Sequence, residues 1–316
     1  MKGAGVVTIG ETMALMATET YGPLQHRPSM TLSIGGAESN VAIGLRRLGV
    51  DATWISRLGT DSLGDLVARE IGAEGVSVMA TRDPVAPTAL MIKERRSGVQ
   101  TLVWYYRAGS AASRLSVDQI DFDLVRGASL LHLTGISPAL STSMAEVTFE
   151  AIRVARQAGV PVSFDLNFRG KLWSRERAGE TYRQIIPLVD IVFAGDDEAA
   201  IAVGPADSPL GLAHRLVQLG AGEAVVKLGP EGAVAVVGGR AYARAAVPVD
   251  VIDTVGAGDA FVAGYLADYL AAADVATRLT TAVTAGAYQC LVTGDWEGLP
   301  RRAELAALTA TEPVRR

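Results

Sequence analysis

The stretch with the clearest chemical potential lies near the C-terminal end, at Asp253–Phe261 (DTVGAGDAF), where two glycines come just before an aspartate. Gly256 and Gly258 carry no Cβ, so the backbone can turn tightly there and lead into a helix. The unpaired amides of a helix start face outward and attract anions. Asp259 stands at the same helix start, where it can act as a base beside a phosphoryl group. Transfer of phosphate to a hydroxyl needs that pairing, although an ordinary helix N-terminal charge would give the same pattern.

A second glycine-rich segment, Gly35–Asn40 (GGAESN), precedes a run with helical spacing of apolar residues. Adjacent glycines permit a ligand to approach the backbone closely, which makes Gly36 and Asn40 candidates for binding it. A plain turn followed by a helix cap would have the same sequence pattern. The segment by itself leaves both interpretations open.

These segments need a scaffold, and from residue 129 onward the chain alternates β-type with helix-type runs. Such alternation predicts an α/β fold with a doubly wound, mostly parallel sheet, whose ligands bind at the carboxyl ends of the strands. The candidate residues that follow predicted strands, and should therefore share one edge, are Asn167, Arg169, Glu198, Lys227 and Gly256–Asp259. A β-like run at Ala246–Ile252 predicts a further strand just before Asp253.

Two regions interrupt this alternation, at about residues 12–34 and 87–107. Both are rich in β-type residues, and the second has a hairpin pattern around the polar turn Glu94–Gly98. We expect them to form a small β-sheet lid over the site, within one domain spanning residues 1–316. The lid carries more apolar surface than it can bury alone, which predicts a homodimer through it. The apolar residues concerned are Met16, Leu90, Met91, Ile92, Leu102 and Trp104.

Composition excludes several classes of function. The 316 residues carry a net charge of −5 and no long Lys/Arg run, which argues against nucleic acid as a partner. The single cysteine, Cys290, excludes an internal disulfide framework. The sequence shows no targeting segment and no apolar run of the ~18 residues that a membrane helix needs, so we expect a cytoplasmic protein. P-loop and zinc-protease motifs are also missing.

Taken together, Gly35–Ala42 and Asp253–Phe261 resemble the two signatures of the ribokinase family of carbohydrate kinases, also called the PfkB family. They lie in the expected order with β–α alternation between them, so the resemblance covers essentially the whole chain. It implies a sugar kinase that uses ATP and Mg²⁺. It also implies that Asp259 takes the proton from a sugar hydroxyl, while the turn at Gly256 and the amides of Ala257, Gly258 and Asp259 form the anion hole.

The resemblance extends to the nucleotide side. Lys227–Ala233 (KLGPEGA) is similar to the family's loop along the ATP phosphates and ribose, although alone it would be a Gly/Pro turn. The implied nucleotide-binding residues are Asn167, Lys227, Gly229, Gly232, Gly256 and Gly258. Glu198 matches the glutamate of an Asn-x-x-Glu motif linked to magnesium, but Gly195 stands in place of the asparagine.

Two further segments, Tyr105–Ala111 and Asp165–Trp173, resemble those of 2-keto-3-deoxygluconate kinases. A sugar acid needs a cation for its carboxylate, and an arginine can pair with it in a bidentate way. The resemblance therefore implies that Arg107 and Arg169 bind the carboxylate and hydroxyls, with Tyr105 lining the sugar. Alternatively, Arg107 is an exposed hairpin arginine and Arg169 contacts the phosphate side.

The remaining acceptor residues are Gly36, expected to line the sugar, and Asp295, which either reaches a sugar hydroxyl or is a loop aspartate. Met91 departs from the pattern, since it replaces a lid tyrosine. The leading hypothesis is an ATP-dependent kinase that makes 2-keto-3-deoxy-6-phosphogluconate. The alternatives are a kinase of the galactonate epimer, a fructokinase- or ribokinase-type kinase of a neutral sugar, and a non-catalytic protein that binds a sugar or nucleoside.

Overall fold

Helices and strands alternate along most of the chain, which a computed structural model describes for residues 5–26, 29–98 and 100–309. The strands are β1 (Val6–Ile9), β2 (Met13–Thr18), β3 (Met30–Gly35), β4 (Ala52–Gly59), β5 (Ser77–Asp83), β6 (Leu90–Ser97), β7 (Gln100–Tyr106), β8 (Leu130–Thr134), β9 (Val162–Asp165), β10 (Ile191–Gly195), β11 (Glu223–Lys227), β12 (Ala233–Val237) and β13 (Arg240–Arg244). The helices are α1 (Ala37–Arg47), α2 (Ser62–Ala73), α3 (Phe122–Arg126), α4 (Ile136–Leu140), α5 (Thr142–Gln157), α6 (Arg175–Ile185), α7 (Asp196–Val203), α8 (Pro209–Leu219), α9 (Ala257–Leu270) and α10 (Val275–Gln289).

The larger sheet has the strand order β13-β12-β11-β10-β9-β8-β1-β4-β5. Its strands are parallel from β5 to β11, and only the last two pairings, to β12 and β13, are antiparallel. The central strands are buried on both faces, as parallel strands between helices must be. One apolar layer lies under α5, α6 and α8, and the other under α1, α9 and α10. The predicted doubly wound, mostly parallel sheet is confirmed.

A separate sheet of four strands, in the order β3-β2-β6-β7, forms the predicted lid. Side chains alternate between its two faces. Met13, Leu15 and Met91 belong to a small buried cluster on the inner face. On the outer face, Leu32 and Trp104 are about half exposed, at 51% and 48%. One apolar face of the lid therefore packs towards the main domain, and a second apolar face lies on the protein surface.

Parts of the predicted ranges lie outside the described residues. These are residues 27, 28 and 99 within the lid regions, and residues 1–4 and 310–316 at the ends of the expected single domain. No helix in the described part of the chain has the length and apolarity that crossing a membrane requires.

The strand predicted at Ala246–Ile252 is wrong. The segment pairs with no strand in the described part of the chain and leaves Val251 and Ile252 exposed by 58% and 64%. Pro248 has no amide hydrogen to give to a sheet ladder, and the backbone of Ile252 instead donates to the carbonyl of Cys290 (2.8 Å). Conversely, the edge strand β5 was not predicted, because it is half exposed and lacks a continuous apolar run.

Candidate active site

The turn before α9 depends on Gly256, which has a left-handed backbone (φ 76°) and is the N-cap residue of the helix. A Cβ at this position would overlap the backbone carbonyl oxygen of Asp295. Gly258 does not turn the chain, contrary to the expectation for both glycines, since it lies inside the first helical turn. A Cβ there would come within 3.7 Å of the Lys227 ammonium. The second glycine thus keeps the space between the helix start and Lys227 free of side chains.

Asp259 lies in the first turn of α9 and is partly buried. Its Oδ2 accepts a hydrogen bond from the amide of Asn40 in α1 (2.8 Å). Burial raises the pKa of Asp259 to about 7, and the nearby charge of Asp165 adds to this, while Asn40, Arg169 and Lys227 lower it. The carboxyl group is therefore poised to gain or lose a proton near neutral pH, as a general base requires.

Helix α1 brings two predicted acceptor residues next to this carboxylate. Gly36 is the extended N-cap of α1, and a Cβ on it would crowd the carbonyl of Glu11 and the side chain of Thr12. Glycine is needed at position 36 because the segment of Glu11 and Thr12 packs closely against its backbone, and not because its φ is positive. Asn40 Oδ1 is buried and has no hydrogen-bond partner among the described residues. It is an acceptor that a hydroxyl group of a ligand could satisfy.

Lys227, at the end of β11, forms a two-pronged ion pair with Asp165, at the end of β9. The distances from Nζ are 2.8 and 2.7 Å, and Asp165 is only 2% exposed. Burial works against the charge on Lys227, but the carboxylates of Asp165 and Glu198 overcome it and raise its pKa. Lys227 therefore stays cationic beside the anion-binding turn. The sequence analysis missed Asp165, although a carboxylate ending an apolar strand is a usable signal.

Glu198 is held by backbone amides. Its two oxygens accept from Phe168 N (2.9 Å) and from Gly195 N (2.7 Å), the latter being the N-cap residue of α7. The first of these bonds supports the turn at Asn167, which has a positive φ of 39°. Within the described residues, no three His, Cys, Asp or Glu side chains are grouped as a metal site. If Glu198 meets a metal ion, a water molecule between them is the arrangement that preserves both amide bonds.

The expected nucleotide loop follows β11 directly. Gly229 and Gly232 both have positive φ values, of 54° and 102°, and a Cβ on Gly232 would overlap the carbonyl of Arg244. Leu228 N donates to Gly232 O (2.8 Å), which closes the loop into a tight turn. The glycines are thus required by the backbone, and the loop begins at Lys227.

Arg107 lies just beyond the lid strand β7 and is already paired. Its guanidinium contacts Glu11 at 2.7 and 2.6 Å, and the two side chains are only 10% and 0% exposed. Ser110 also donates to Glu11. Tyr105, 39% exposed, lies with its ring centroid 5.7 Å from Arg107 and 5.3 Å from the ammonium of Lys171. The exposed-hairpin alternative for Arg107 is therefore wrong.

Arg169 is exposed and has no ion-pair partner in the described part of the chain. Its positive charge lowers the pKa of Asp259 and opposes the effect of burial on Asp165. Arg169 therefore lies close to the carboxylates of Asp259 and Asp165. This position is compatible with both interpretations of the sequence, since the base lies between the acceptor and the phosphoryl group.

Asp295 is 6% exposed and forms a buried ion pair with Lys93 of strand β6. The pair lies where a Cβ on Gly35 would contact both the Asp295 carboxylate and the methyl group of Met91. Lys93 was not singled out from the sequence. Its inward direction follows from strand alternation, since it lies two residues after the buried Met91.

The predicted residues thus form two adjoining groups. The first lies at the carboxyl edge of the main sheet and contains Asn167, Arg169, Glu198, Lys227 and Gly256–Asp259 with the nucleotide loop. The second lies under the lid and contains Gly36, Tyr105, Arg107 and Asp295. Asn40 connects them through its bond to Asp259.

Comparisons with known proteins identify the family of the chain. The profile of the pfkB family of carbohydrate kinases matches residues 4–302. A 2-dehydro-3-deoxygluconokinase of Bacillus subtilis (strain 168) is 36% identical, with coverage of 97% of this chain and 95% of that protein. A 2-dehydro-3-deoxygalactonokinase of Haloferax volcanii is 34% identical over 92% of both chains. The crystal structure of a fructokinase with bound ATP from Xylella fastidiosa superposes with a TM-score of 0.82 at 26% identity, over 97% of each chain.

Proposed function

Because this chain belongs to the pfkB family of carbohydrate kinases, we propose that it transfers the terminal phosphoryl group of ATP to the 6-hydroxyl of 2-keto-3-deoxygluconate. The observation that carries the proposal is the pairing of Asp259 with the open N-terminus of α9. The carboxyl group has a pKa of about 7 and is oriented by Asn40. It can therefore accept a proton at the pH at which the enzyme works.

The steps assigned to this chain are proton removal and charge stabilisation. Asp259 takes the proton of the acceptor hydroxyl, whose oxygen then bonds to the terminal phosphorus of ATP while the bond from that phosphorus to the bridging oxygen breaks and ADP leaves. The turn at Gly256 leaves the amides of Gly258 and Asp259 open to the transferred group, whereas the amide of Ala257, also expected there, donates to the carbonyl of Thr254 (3.3 Å). The ammonium of Lys227, paired with Asp165, lies near the same helix start. A correctly placed base contributes about 10²–10⁴-fold to such a rate.

We assign the nucleotide to the loop of Gly229 and Gly232, beside Lys227. A bound ATP in the Xylella fructokinase supports ATP as the donor. Mg²⁺, when bound, would neutralise part of the charge of the phosphates. The described residues fit an ion held mainly by phosphate and water, because they contain no group of three His, Cys, Asp or Glu side chains, and Glu198 is the carboxylate that would assist.

The acceptor site suits a sugar with both hydroxyl and carboxylate groups. Gly36 leaves room at the backbone, Asn40 Oδ1 offers an unused acceptor, and Asp295 lies beside the turn at Gly256. Tyr105 and Arg107 line the lid side. The names of the Bacillus and Haloferax relatives support a keto-deoxy sugar acid. The galactonate epimer is a second candidate, because Met91 offers no hydroxyl for distinguishing epimers.

A substrate panel tests the proposal. ADP release is measured with 2-keto-3-deoxygluconate, the galactonate epimer, fructose and ribose, at saturating ATP and Mg²⁺. We expect the highest kcat/KM with one of the two keto-deoxy acids. A preference for fructose or ribose would reject the assigned substrate but would leave the kinase assignment intact.

We also propose that two copies of the chain associate through the outer face of the lid. Met16, Leu32, Ile92 and Trp104 lie in register across β2, β3, β6 and β7, with Leu32 and Trp104 about half exposed. Light scattering at micromolar concentration should give twice the mass of the chain, and Trp104→Glu should give the monomer. A wild-type monomer would reject this interface.

A further inference from the structure

The acceptor side contains several cations, but most of them are already neutralised. Arg107 is paired with the buried Glu11, and Lys93 is paired with the buried Asp295. Each pair has a net charge of zero, so neither by itself makes the lid side attractive to an anion. A sugar acid needs positive charge from another residue.

Two cations without a carboxylate partner among the described residues remain in the loop after β9, namely Arg169 and Lys171. The charge of Arg169 acts on Asp259 and Asp165, so Arg169 lies close to these two carboxylates. Lys171 contacts the lid instead. Its ammonium donates to the carbonyl of Val103 in the lid strand β7 (2.9 Å) and lies 5.3 Å from the centroid of the Tyr105 ring.

Lys171 therefore extends from the main domain to the lid, next to the aromatic ring that lines the acceptor site. Its ammonium has three hydrogens, of which one is used by Val103. Neither a carbonyl group nor an aromatic ring neutralises the charge. The remaining donors are available to an anion bound beside Tyr105.

We propose that Lys171 is a specificity-determining residue that recognises the carboxylate of the acceptor. The inference rests on the proposed function and extends it, because it names the residue that separates sugar acids from neutral sugars. The ion pair of Arg107 with Glu11 then serves to hold the end of β7, while Lys171 supplies the net charge. A charge-assisted hydrogen bond to the acceptor would improve kcat/KM by ~10–100-fold.

The test compares Lys171→Met with Lys171→Arg on two acceptors of the same skeleton. One is 2-keto-3-deoxygluconate, and the other is the analogue in which its carboxylate is replaced by a hydroxymethyl group. For Lys171→Met we expect kcat/KM to fall ~10–100-fold with the acid, mainly through KM, and to change little with the neutral analogue. Lys171→Arg should recover most of the loss, because it retains the charge.

Arg126→Met is the matched control for the loss of a surface charge. Arg126 lies in α3, just before β8, and so at the opposite edge of the sheet. It should leave both acceptors unaffected. Equal losses of kcat/KM with the acid and the analogue in Lys171→Met would show that Lys171 only supports the lid, and no loss with either would show that it is a bystander. Both results would overturn the inference while leaving the proposed reaction standing, whereas a wild-type preference for neutral sugars would reject the proposed function itself.

Discussion

The two halves of the site treat charge differently. At the carboxyl edge of the main sheet, Lys227 is paired with Asp165, but Asp259 contacts no cation among the described residues, and its pKa is raised to about 7. Under the lid, Arg107 and Lys93 are each matched by a buried carboxylate. The first half keeps a group poised to change its protonation state, while the second fixes its charges in pairs. Asp259 thus provides the reactive group, while the ion pairs of Arg107 and Lys93 hold the lid in place.

The largest effect should come from removing the poised carboxylate. Asp259→Asn keeps an oxygen for Asn40 but cannot take a proton, so we expect kcat to fall by about 10²–10⁴-fold. Binding of the sugar, measured by calorimetry, should persist. Unchanged turnover would show that Asp259 is not the base.

The same variant should be more stable than the wild type at alkaline pH. Folding raises the pKa of Asp259 from 3.8 to about 7, so between these pH values the unfolded chain ionises first and the native state loses stability, until the loss is complete above about pH 7. Asn removes that cost. Thermal melts should show the full advantage of Asp259→Asn at pH 8, a smaller one at pH 5 and little at pH 4, and a variant less stable than the wild type at pH 8 would contradict the raised pKa.

The two glycines of the turn should respond differently to the same added methyl group. Gly256→Ala forces a side chain into a left-handed backbone and against the Asp295 carbonyl, which costs about 1–3 kcal/mol for the backbone strain alone. Gly258→Ala lies in helical backbone, where alanine is favoured by roughly 0.5–1 kcal/mol.

Urea unfolding and steady-state kinetics separate the two effects. Gly256→Ala should lower the free energy of unfolding. Gly258→Ala should raise it slightly, yet lower kcat/KM for ATP by placing a methyl group in the space before Lys227 that a phosphate would occupy. Equal loss of stability in both variants would argue against the distinct roles of the two glycines.

On the lid side, the main effect should be on stability. Lys93→Met leaves Asp295 buried without its cation, and breaking such a pair costs about 3–5 kcal/mol. The double variant Lys93→Met/Asp295→Asn removes both charges and should recover part of the loss. A double variant no more stable than Lys93→Met would show that the pair is not the source of the effect.

The comparison also explains what could be predicted from the sequence. The turn at Gly256 and the position of Asp259 are local features, so a few neighbouring residues were enough to predict them. The paired charges are not local. Lys93 and Asp295 are 202 residues apart, and Arg107 and Glu11 are 96 apart. Within its own segment, each of these residues looks like an ordinary surface charge.

The predicted strands show the same limit of what local sequence can reveal. Strands buried on both faces, such as β8, were predicted from continuous apolar runs. Ala246–Ile252 has a similar composition but lies along the surface, where the amide of Ile252 donates to the carbonyl of Cys290 outside the sheet. Only tertiary contacts distinguish the two cases, because local β propensity is the same in both.

The pH dependence of kcat/KM for 2-keto-3-deoxygluconate tests the central assignment most directly. With Asp259 as the base and a pKa of about 7, kcat/KM should fall about tenfold per pH unit below neutrality and level off above it. The residual activity of Asp259→Asn should lack this limb. An acid limb that persists in Asp259→Asn, or a wild-type profile flat down to pH 5, would contradict the account.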